Sequence, residues 1–165
     1  MPCRVSAWRR SNTLPNRETP ELTTGSRHMA RRNAVQALYQ WLVTGQSPAE
    51  IEPGFISDQS FAGVDMAYFR QLISDVPRQQ ATIESRLQGH AERTLDSVDP
   101  VERAILLIGG YELLFRPDIP ARVALDEAVQ MAHIFGAEEG YRFINGVLDR
   151  LAADDPGQDA TGSRR

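Results

Sequence analysis

The stretch AILLIGGYELLF, residues 104–115, constrains the fold of this chain more than any other segment. Glu112 is its only charged residue, so a helix formed here is apolar on nearly every side. A helix without a polar face belongs in the interior of a protein. Its 12 residues are too few to span a bilayer, which takes about 20. The segment therefore predicts a buried central helix, with the remainder of the chain packed around it.

The residues just before this segment mark where the helix begins. Asp99 can accept hydrogen bonds from the free N–H groups of a first turn, and Pro100 suits the first helical position. Glu102 follows Asp99 by three residues, which is the spacing of a capping box. The loop RPDIP after Phe115 contains two prolines and forces a turn. The central helix is therefore predicted to run from Pro100 to Phe115.

Helical periodicity recurs in the other segments, where apolar residues return every three or four positions. Ser47 and Glu50 form a second capping box around Pro48, and Asp65 can cap a further helix. Pro53-Gly54 predicts a short or broken helix, and Pro77 predicts a kink or an end near Val76. No alternating strand pattern occurs. The fold class is predicted to be all-α with six to seven helices, the others lying in 30–44, 51–61, 65–76, 83–91, 123–135 and 138–151.

Asn145-Gly146 is the one hairpin-like dipeptide in the chain, but helical periodicity continues on both sides of it. We therefore interpret Gly146 as a close contact between helices, which accepts a propensity cost of about 1 kcal/mol. Asn145 is then expected to be a buried residue that forms hydrogen bonds.

Charge is distributed unevenly along the chain, although the total is -4. Residues 1–32 hold seven arginines against Glu18 and Glu21, whereas residues 33–151 are strongly acidic. Basic arms often contact nucleic acid, but on charge alone a solvated leader is the simpler interpretation. Residues 1–28 are expected to be a disordered leader, a mis-assigned start before Met29 or a remnant of cloning. The folded domain is expected over 29–152, with a disordered tail over 153–165.

Patterns typical of catalysis or metal binding are absent from the sequence. It contains no glycine-rich phosphate loop and no H-E-x-x-H motif. Cys3 is the only cysteine, which excludes a disulfide framework and fits a reducing compartment. The three histidines are scattered, and several carboxylates are explained by helix capping. No enzymatic activity, metal or cofactor is predicted, and no segment is long and apolar enough to cross a membrane.

Four segments follow one another along the chain: ARRNAVQALYQW, VDMAYFRQLI, DPVERAILLIGGYELLFRPDIP and LDEAVQMAHIFGAEEGYRFINGVLDRLA. The last contains F-G-A-E followed by F-I-N-G-V-L-D, which is a specific pattern. In this order the segments resemble the NusB family of bacterial transcription antitermination factors, and the resemblance covers about residues 27–152.

The resemblance implies an all-α, NusB-like fold of two small helical bundles packed together. It also implies a cytoplasmic, non-catalytic factor that binds the boxA RNA of nascent transcripts, above all ribosomal RNA leaders, together with the ribosomal protein NusE. NusA, NusG and RNA polymerase are the implied partners in a larger complex. Members of this kind include monomers and homodimers.

The resemblance also implies functional residues in this numbering. The arginine-rich RNA-binding motif corresponds to Arg27, Arg31 and Arg32, which the pattern places at a helix start, the unfavourable end for cations. RNA phosphates would offset that cost. A second RNA-facing patch corresponds to the region 139–143, with Glu139, a phosphate contact at Arg142 and base stacking on Phe143. The NusE-binding face corresponds to Tyr39 and Glu102. The alternative for Phe143 is a core position, and the alternative for Glu102 is the capping box.

The sequence departs from the family pattern at Leu107, where an arginine is usual, at His28 and Met29, where basic residues are usual, and at Pro77. These departures, with the acidic body, predict weak RNA binding by the isolated protein. Two other interpretations remain. One is a helical adaptor or homodimer that binds only protein. The other is the NusB-like module of RNA cytosine methyltransferases, which need a following α/β domain for S-adenosylmethionine that this sequence does not show.

Overall fold

The computed structural model describes residues 26–58, 61–135 and 139–154. Within these ranges the chain forms seven α-helices and one short 3-10 helix at Leu95–Ser97, with no strand beyond a single bridge between Ser26 and Val64. This confirms the predicted all-α class. The helices are α1 Arg27–Thr44, α2 Pro48–Asp58, α3 Met66–Arg78, α4 Gln80–Gln88, α5 Pro100–Phe115, α6 Ala121–Ile134 and α7 Tyr141–Asp154.

The chain divides into two compact units, Met1–Ser74 and Asp75–Arg165. In the first unit α1 packs against α2. The Phe69 ring is fully buried there and contacts Phe55, whose centroid lies 5.9 Å away, and Phe61, at 5.0 Å. Aromatic pairs at such distances add to the free energy gained from burying their area. The cluster therefore contributes to the core of the first unit through Phe69, while Phe55 and Phe61 are only half-buried.

The second unit is organised around α5, as the sequence predicts. Every residue from Ala104 to Leu113 is buried, and α5 packs on α4, α6 and α7. Two adjacent glycines make this possible, because a Cβ at Gly109 would lie 2.6 Å from Leu148 and one at Gly110 would lie 2.8 Å from Ile83. Such distances are too short for a real Cβ, so the glycines allow α7 and α4 to approach the central helix closely.

The predicted helix caps are confirmed at three of four positions. Asp99 Oδ1 accepts from the amide of Val101 at 2.9 Å, and Asp65 Oδ1 accepts from that of Tyr68 at 3.1 Å. Ser47 and Glu50 exchange both hydrogen bonds of a capping box. Glu102 differs, because no hydrogen bond joins it to the Asp99 amide among the described residues. Its carboxylate is turned toward another part of the unit.

The ends of some helices differ from the predicted ones. α1 begins at Arg27, three residues earlier than expected, and α2 continues through Pro53 to Asp58 instead of breaking. The end predicted near Val76 agrees with the structure, because Pro77 lies in the last turn of α3, which ends at Arg78, and α4 begins at Gln80. The predicted Gly136 terminus of α6 lies outside the described residues, as do residues 1–25 of the expected leader and 155–165 of the expected tail.

The interpretation of Asn145-Gly146 was wrong. Asn145 is exposed, so it is not a buried hydrogen-bonding residue. A Cβ at Gly146 would meet only the guanidinium of Arg150, at 3.4 Å, which is the end of a flexible side chain. The close helix contacts are made by Gly109 and Gly110 instead, which helical periodicity alone does not distinguish from other apolar positions.

Candidate nucleic-acid interface

The start of α1 is held in place by residues of its own unit. Ser26 caps the helix, since its Oγ accepts from the amide of Met29 at 3.1 Å. The Ser26 amide donates to the Gly63 carbonyl at 2.8 Å, and the Asp65 amide donates to the Ser26 carbonyl at 3.2 Å. Because Asp65 also caps α3, one short segment fixes the beginnings of both helices. The helix start that carries the predicted arginine motif is therefore well defined.

The three arginines of that motif differ in their exposure. The Arg27 side chain is 43% exposed, lies 3.8 Å from the Asp65 carboxylate and stacks over the Tyr68 ring at 4.6 Å. Arg31 is only 4% exposed, and its guanidinium also lies over Tyr68, at 5.5 Å. Arg32 is half-buried, and desolvation lowers the pKa of its guanidinium. Since α1 begins at Arg27, Arg31 and Arg32 lie in the second turn and not in the first.

Tyr39 lies farther along α1 and is 41% exposed. Val43, one turn later on the same face, is 53% exposed. Residues four apart on a helix are neighbours on its surface. An aromatic ring and an aliphatic side chain therefore form a small exposed apolar stripe at the predicted NusE-binding residue.

Glu102, the other predicted NusE-binding residue, is only 16% exposed at its side chain. Its carboxylate packs so closely on Gly140 that a Cβ at that position would overlap it. Burial raises the pKa of the Glu102 carboxyl, the nearby charge of Asp99 raises it further, and Arg93 lowers it. The sequence interpretation as a capping box missed this contact, because nothing in the spacing relates Glu102 to a glycine 38 positions later.

The second predicted RNA-facing patch lies at the start of α7. Glu139 and Arg142 are exposed, and the Arg142 guanidinium lies 5.6 Å from the Tyr141 ring. Phe143 is half-buried instead of fully internal. Its ring carries the guanidinium of Arg93 at 4.2 Å from the ring centroid. The predicted residues of this patch thus lie in one short segment, and Arg93, from elsewhere in the same unit, contacts Phe143.

Arg93 was not predicted from the sequence. It lies between α4 and the 3-10 helix, in a polar segment with no helical periodicity and no motif. Only the folded chain reveals that this segment passes over the ring of Phe143. Within the described residues there is no cluster of three or more potential metal ligands. No helix in the same ranges is long and apolar enough to cross a membrane.

The fold and these surfaces define a helical binding protein, in which exposed cations and a partly accessible aromatic ring suit an anionic ligand. The chain belongs to the NusB family, whose profile matches residues 28–153. Similar proteins include the transcription antitermination protein NusB of Shewanella pealeana, 47% identical over 127 residues that cover 77% of this chain and 94% of that protein. The NusB of Shewanella loihica is 45% identical over 127 residues. The family is one of transcription antitermination factors and not of enzymes, in agreement with the resemblance described above.

Solved structures agree with this assignment. A crystal structure of NusB and NusE in complex with double-stranded RNA matches with a TM-score of 0.68 and 25% identity, covering 78% of this chain and 96% of that one. The NusB of T. maritima matches with a TM-score of 0.67 and 27% identity, covering 78% of this chain and 92% of that one. The NusB-like fold predicted from the sequence is thereby confirmed.

Proposed function

We propose that this antitermination factor binds boxA-type RNA of nascent transcripts, ribosomal RNA leaders above all, together with the ribosomal protein NusE. In the cytoplasm the pair joins NusA, NusG and RNA polymerase in a larger complex. The observation that carries the proposal is the family match, which spans residues 28–153 and so includes all of the candidate binding residues discussed above except Arg27. A related structure containing NusB, NusE and RNA supports the choice of ligand and partner.

The RNA-binding surface in this proposal includes Arg27 and Arg32 on α1. Arg27 keeps 43% of its side chain accessible, so a phosphate can approach it beside Asp65. Arg31 has almost no accessible surface, and its stacking on Tyr68 supports the helix start instead of a direct phosphate contact. This modifies the role that the resemblance implied for Arg31 and leaves the other two unchanged.

At the start of α7 each accessible or partly accessible group has a separate role. Phe143 stacks on an unpaired base, and Arg142 binds a phosphate. Glu139 accepts hydrogen bonds from a base edge, since carboxylates accept from exocyclic amino groups. Single-stranded RNA is recognised by such a combination of stacking and base-edge hydrogen bonds.

The proposed contacts with NusE are Tyr39 in the first unit, whose exposed ring offers apolar contact, and Glu102 in the second unit, whose carboxylate suits a basic ribosomal protein. Aromatic residues are enriched among those that dominate protein interfaces. The partly desolvated carboxylate of Glu102 gains from a basic partner, because an opposite charge favours its ionised form.

A binding experiment with purified protein tests the proposal. Labelled boxA RNA and a scrambled RNA of equal composition are titrated with the protein, with and without NusE. We expect weak binding by the protein alone, with a salt slope of about 0.7 per phosphate contacted. Adding NusE should give tight binding that favours boxA. Equal retardation of both RNAs in the presence of NusE would contradict the boxA assignment and favour an adaptor that binds only protein.

A further inference from the structure

Arg93 connects the two functional surfaces of the second unit. Its guanidinium lies 4.2 Å from the centroid of Phe143, the predicted stacking platform for RNA. Its Nη2 lies 4.0 Å from Oε1 of Glu102, the predicted contact for NusE. The Arg93 side chain is 51% exposed. A single accessible cation therefore contacts one residue from each surface.

Gly140 brings these surfaces close together in the same unit. The Glu102 carboxylate packs directly on it, and the Gly140 carbonyl accepts from the amide of Ile144 at 2.9 Å in the first turn of α7. Glu102 thus contacts the segment that presents Arg142 and Phe143. Because only glycine leaves room for the carboxylate, the contact depends on the residue type at this position.

We propose that Arg93 is a further RNA-binding residue whose availability is set by Glu102, so that occupation of the Glu102 carboxylate by a basic partner releases Arg93 to an RNA phosphate. This inference rests on the proposed function. It goes beyond it by assigning a residue that couples partner binding to RNA binding. In the free protein Glu102 competes with RNA for the Arg93 guanidinium. In the complex the partner's positive group satisfies Glu102, and Arg93 turns to the phosphate beside a base stacked on Phe143.

The coupling between partner binding and RNA binding arises from the charges of Glu102, Arg93 and the basic group of the partner. A carboxylate 4.0 Å from a guanidinium attracts it weakly at an accessible site. A basic group on the same carboxylate cancels this attraction and adds repulsion between two cations. A coupling free energy between two binding sites is reciprocal, so RNA must strengthen partner binding by the same factor.

A double-mutant cycle on RNA affinity without NusE isolates this coupling. Glu102→Gln removes the competing charge, and we expect it to raise the affinity for boxA RNA roughly fivefold, the lower end of typical couplings. In an Arg93→Ala background the same change should raise affinity less than twofold. An equal increase in both backgrounds would overturn the inference, since it would reflect only the loss of one negative charge.

A second measurement separates RNA contact from a merely structural role of Arg93. Arg93→Ala should lower the salt slope of RNA binding by about 0.7, the value for one phosphate contact on a single strand. Arg93→Lys should restore the slope but only part of the affinity, because an ammonium lacks the planar group that stacks on Phe143. An unchanged slope in Arg93→Ala would overturn the inference. Arg122→Ala, which removes an exposed arginine from α6, is the matched control.

The experiment distinguishes failure of the inference from failure of the proposed function. Both RNAs, boxA and scrambled, are carried through the cycle with and without NusE. Equal binding of the two RNAs in the presence of NusE would contradict the proposed function, while the cycle on either RNA still decides whether Arg93 and Glu102 are coupled. Selective binding with no difference between the two Arg93 backgrounds would leave the proposed function intact and refute the coupling. Thermal unfolding of each variant verifies that it is folded.

Discussion

The two basic regions assigned to RNA, at the start of α1 and at the start of α7, differ in how the protein itself uses their charges. At the start of α1, Arg27 lies near Asp65 and both Arg27 and Arg31 stack on Tyr68, so the fold already provides partners for these cations. At the start of α7, Arg142 is exposed, and Arg93 keeps about half of its side chain accessible although it also has partners in Phe143 and Glu102. An arginine-rich motif therefore predicts charge, but burial decides which of its members can reach a ligand.

The largest effect in this comparison is expected for Phe143→Ala, measured as RNA affinity in the presence of NusE. Loss of a stacking platform should cost about 1–3 kcal/mol, or about fivefold to more than hundredfold in affinity. Phe143→Tyr keeps the ring and should bind nearly as well as the parent. Phe115→Ala is the control, because Phe115 is a half-buried ring that stacks instead on Tyr111 at 5.8 Å. Unchanged RNA affinity in a folded Phe143→Ala variant would place Phe143 in the core only.

In the α1 region, we expect substitution of the buried arginine to lower the stability of the protein, in contrast to the loss of RNA affinity expected at Phe143. Arg31→Ala should lower the free energy of unfolding by about 1–2 kcal/mol, because a buried stem and a desolvated cation–π contact are lost. Arg27→Ala should change stability by less than about 0.5 kcal/mol but lower the RNA salt slope by about 0.7. Urea denaturation and salt titration of RNA binding measure the two quantities.

Two outcomes would contradict the assignment of Arg31 to stability and of Arg27 to RNA binding. A fully stable Arg31→Ala variant with a reduced salt slope would show that Arg31 reaches phosphate despite its 4% exposure. A destabilised Arg27→Ala variant with an unchanged slope would show that its stacking on Tyr68, and not RNA, is its main role.

Local sequence patterns were sufficient for the elements but not for contacts between them. The Asp99 cap, the Ser47–Glu50 box and the buried α5 follow from residues within a few positions of one another, so they could be predicted. Contacts such as Glu102 with Gly140 depend on packing of distant segments. Gly109 and Gly110 illustrate the limit, since the sequence placed them in the core helix but could not show that α7 and α4 approach there.

The same limit explains what was missed at the site. The resemblance supplied Phe143 and Arg142 by position, whereas Arg93 occupies a loop that carries no periodic or motif signal. The burial of Arg31 was likewise not predictable, because it depends on Tyr68 from a different helix. The predicted start at residue 30 also placed Arg31 and Arg32 one turn too early in the helix.

A smaller effect is expected from Gly140→Ala. The new methyl group overlaps the Glu102 carboxylate, but that group ends a flexible side chain and can move aside, so the cost should be about 1 kcal/mol. Displacing Glu102 should weaken NusE binding. Glu102→Ala in the same chain should recover the stability, because it removes the overlapping atoms.

Gly146→Ala is the matched control on the same helix. A Cβ there has room beside the flexible Arg150 side chain, so the gain in helix propensity should raise stability by up to about 1 kcal/mol. Thermal unfolding of Gly140→Ala and Gly146→Ala should show a loss of stability in the first variant and a gain in the second. A loss of stability in Gly146→Ala would restore the interpretation of Gly146 as a close helix contact.

The smallest effect is the pH dependence of stability at Glu102. Burial and Asp99 raise the pKa of this carboxyl above its ordinary value, so folding favours the protonated form. The stabilising contribution is complete below the ordinary pKa and is lost as pH rises through the raised pKa. Glu102→Gln imitates the protonated form and should unfold about 1 °C higher than the parent at pH 7. The difference should vanish below about pH 3.5, where the parent is protonated as well.

The pH dependence of stability at Glu102 also tests whether Arg93 and Glu102 interact. Since Arg93 lowers the pKa of Glu102, its removal should raise that pKa further and enlarge the stabilisation that Glu102→Gln gives at neutral pH. Thermal scans of the four chains of the cycle between pH 3 and pH 8 measure this without RNA or NusE. An equal pH profile with and without Arg93 would mean that the two side chains do not interact in solution. Any cooperation between partner and RNA would then have to arise elsewhere on the protein.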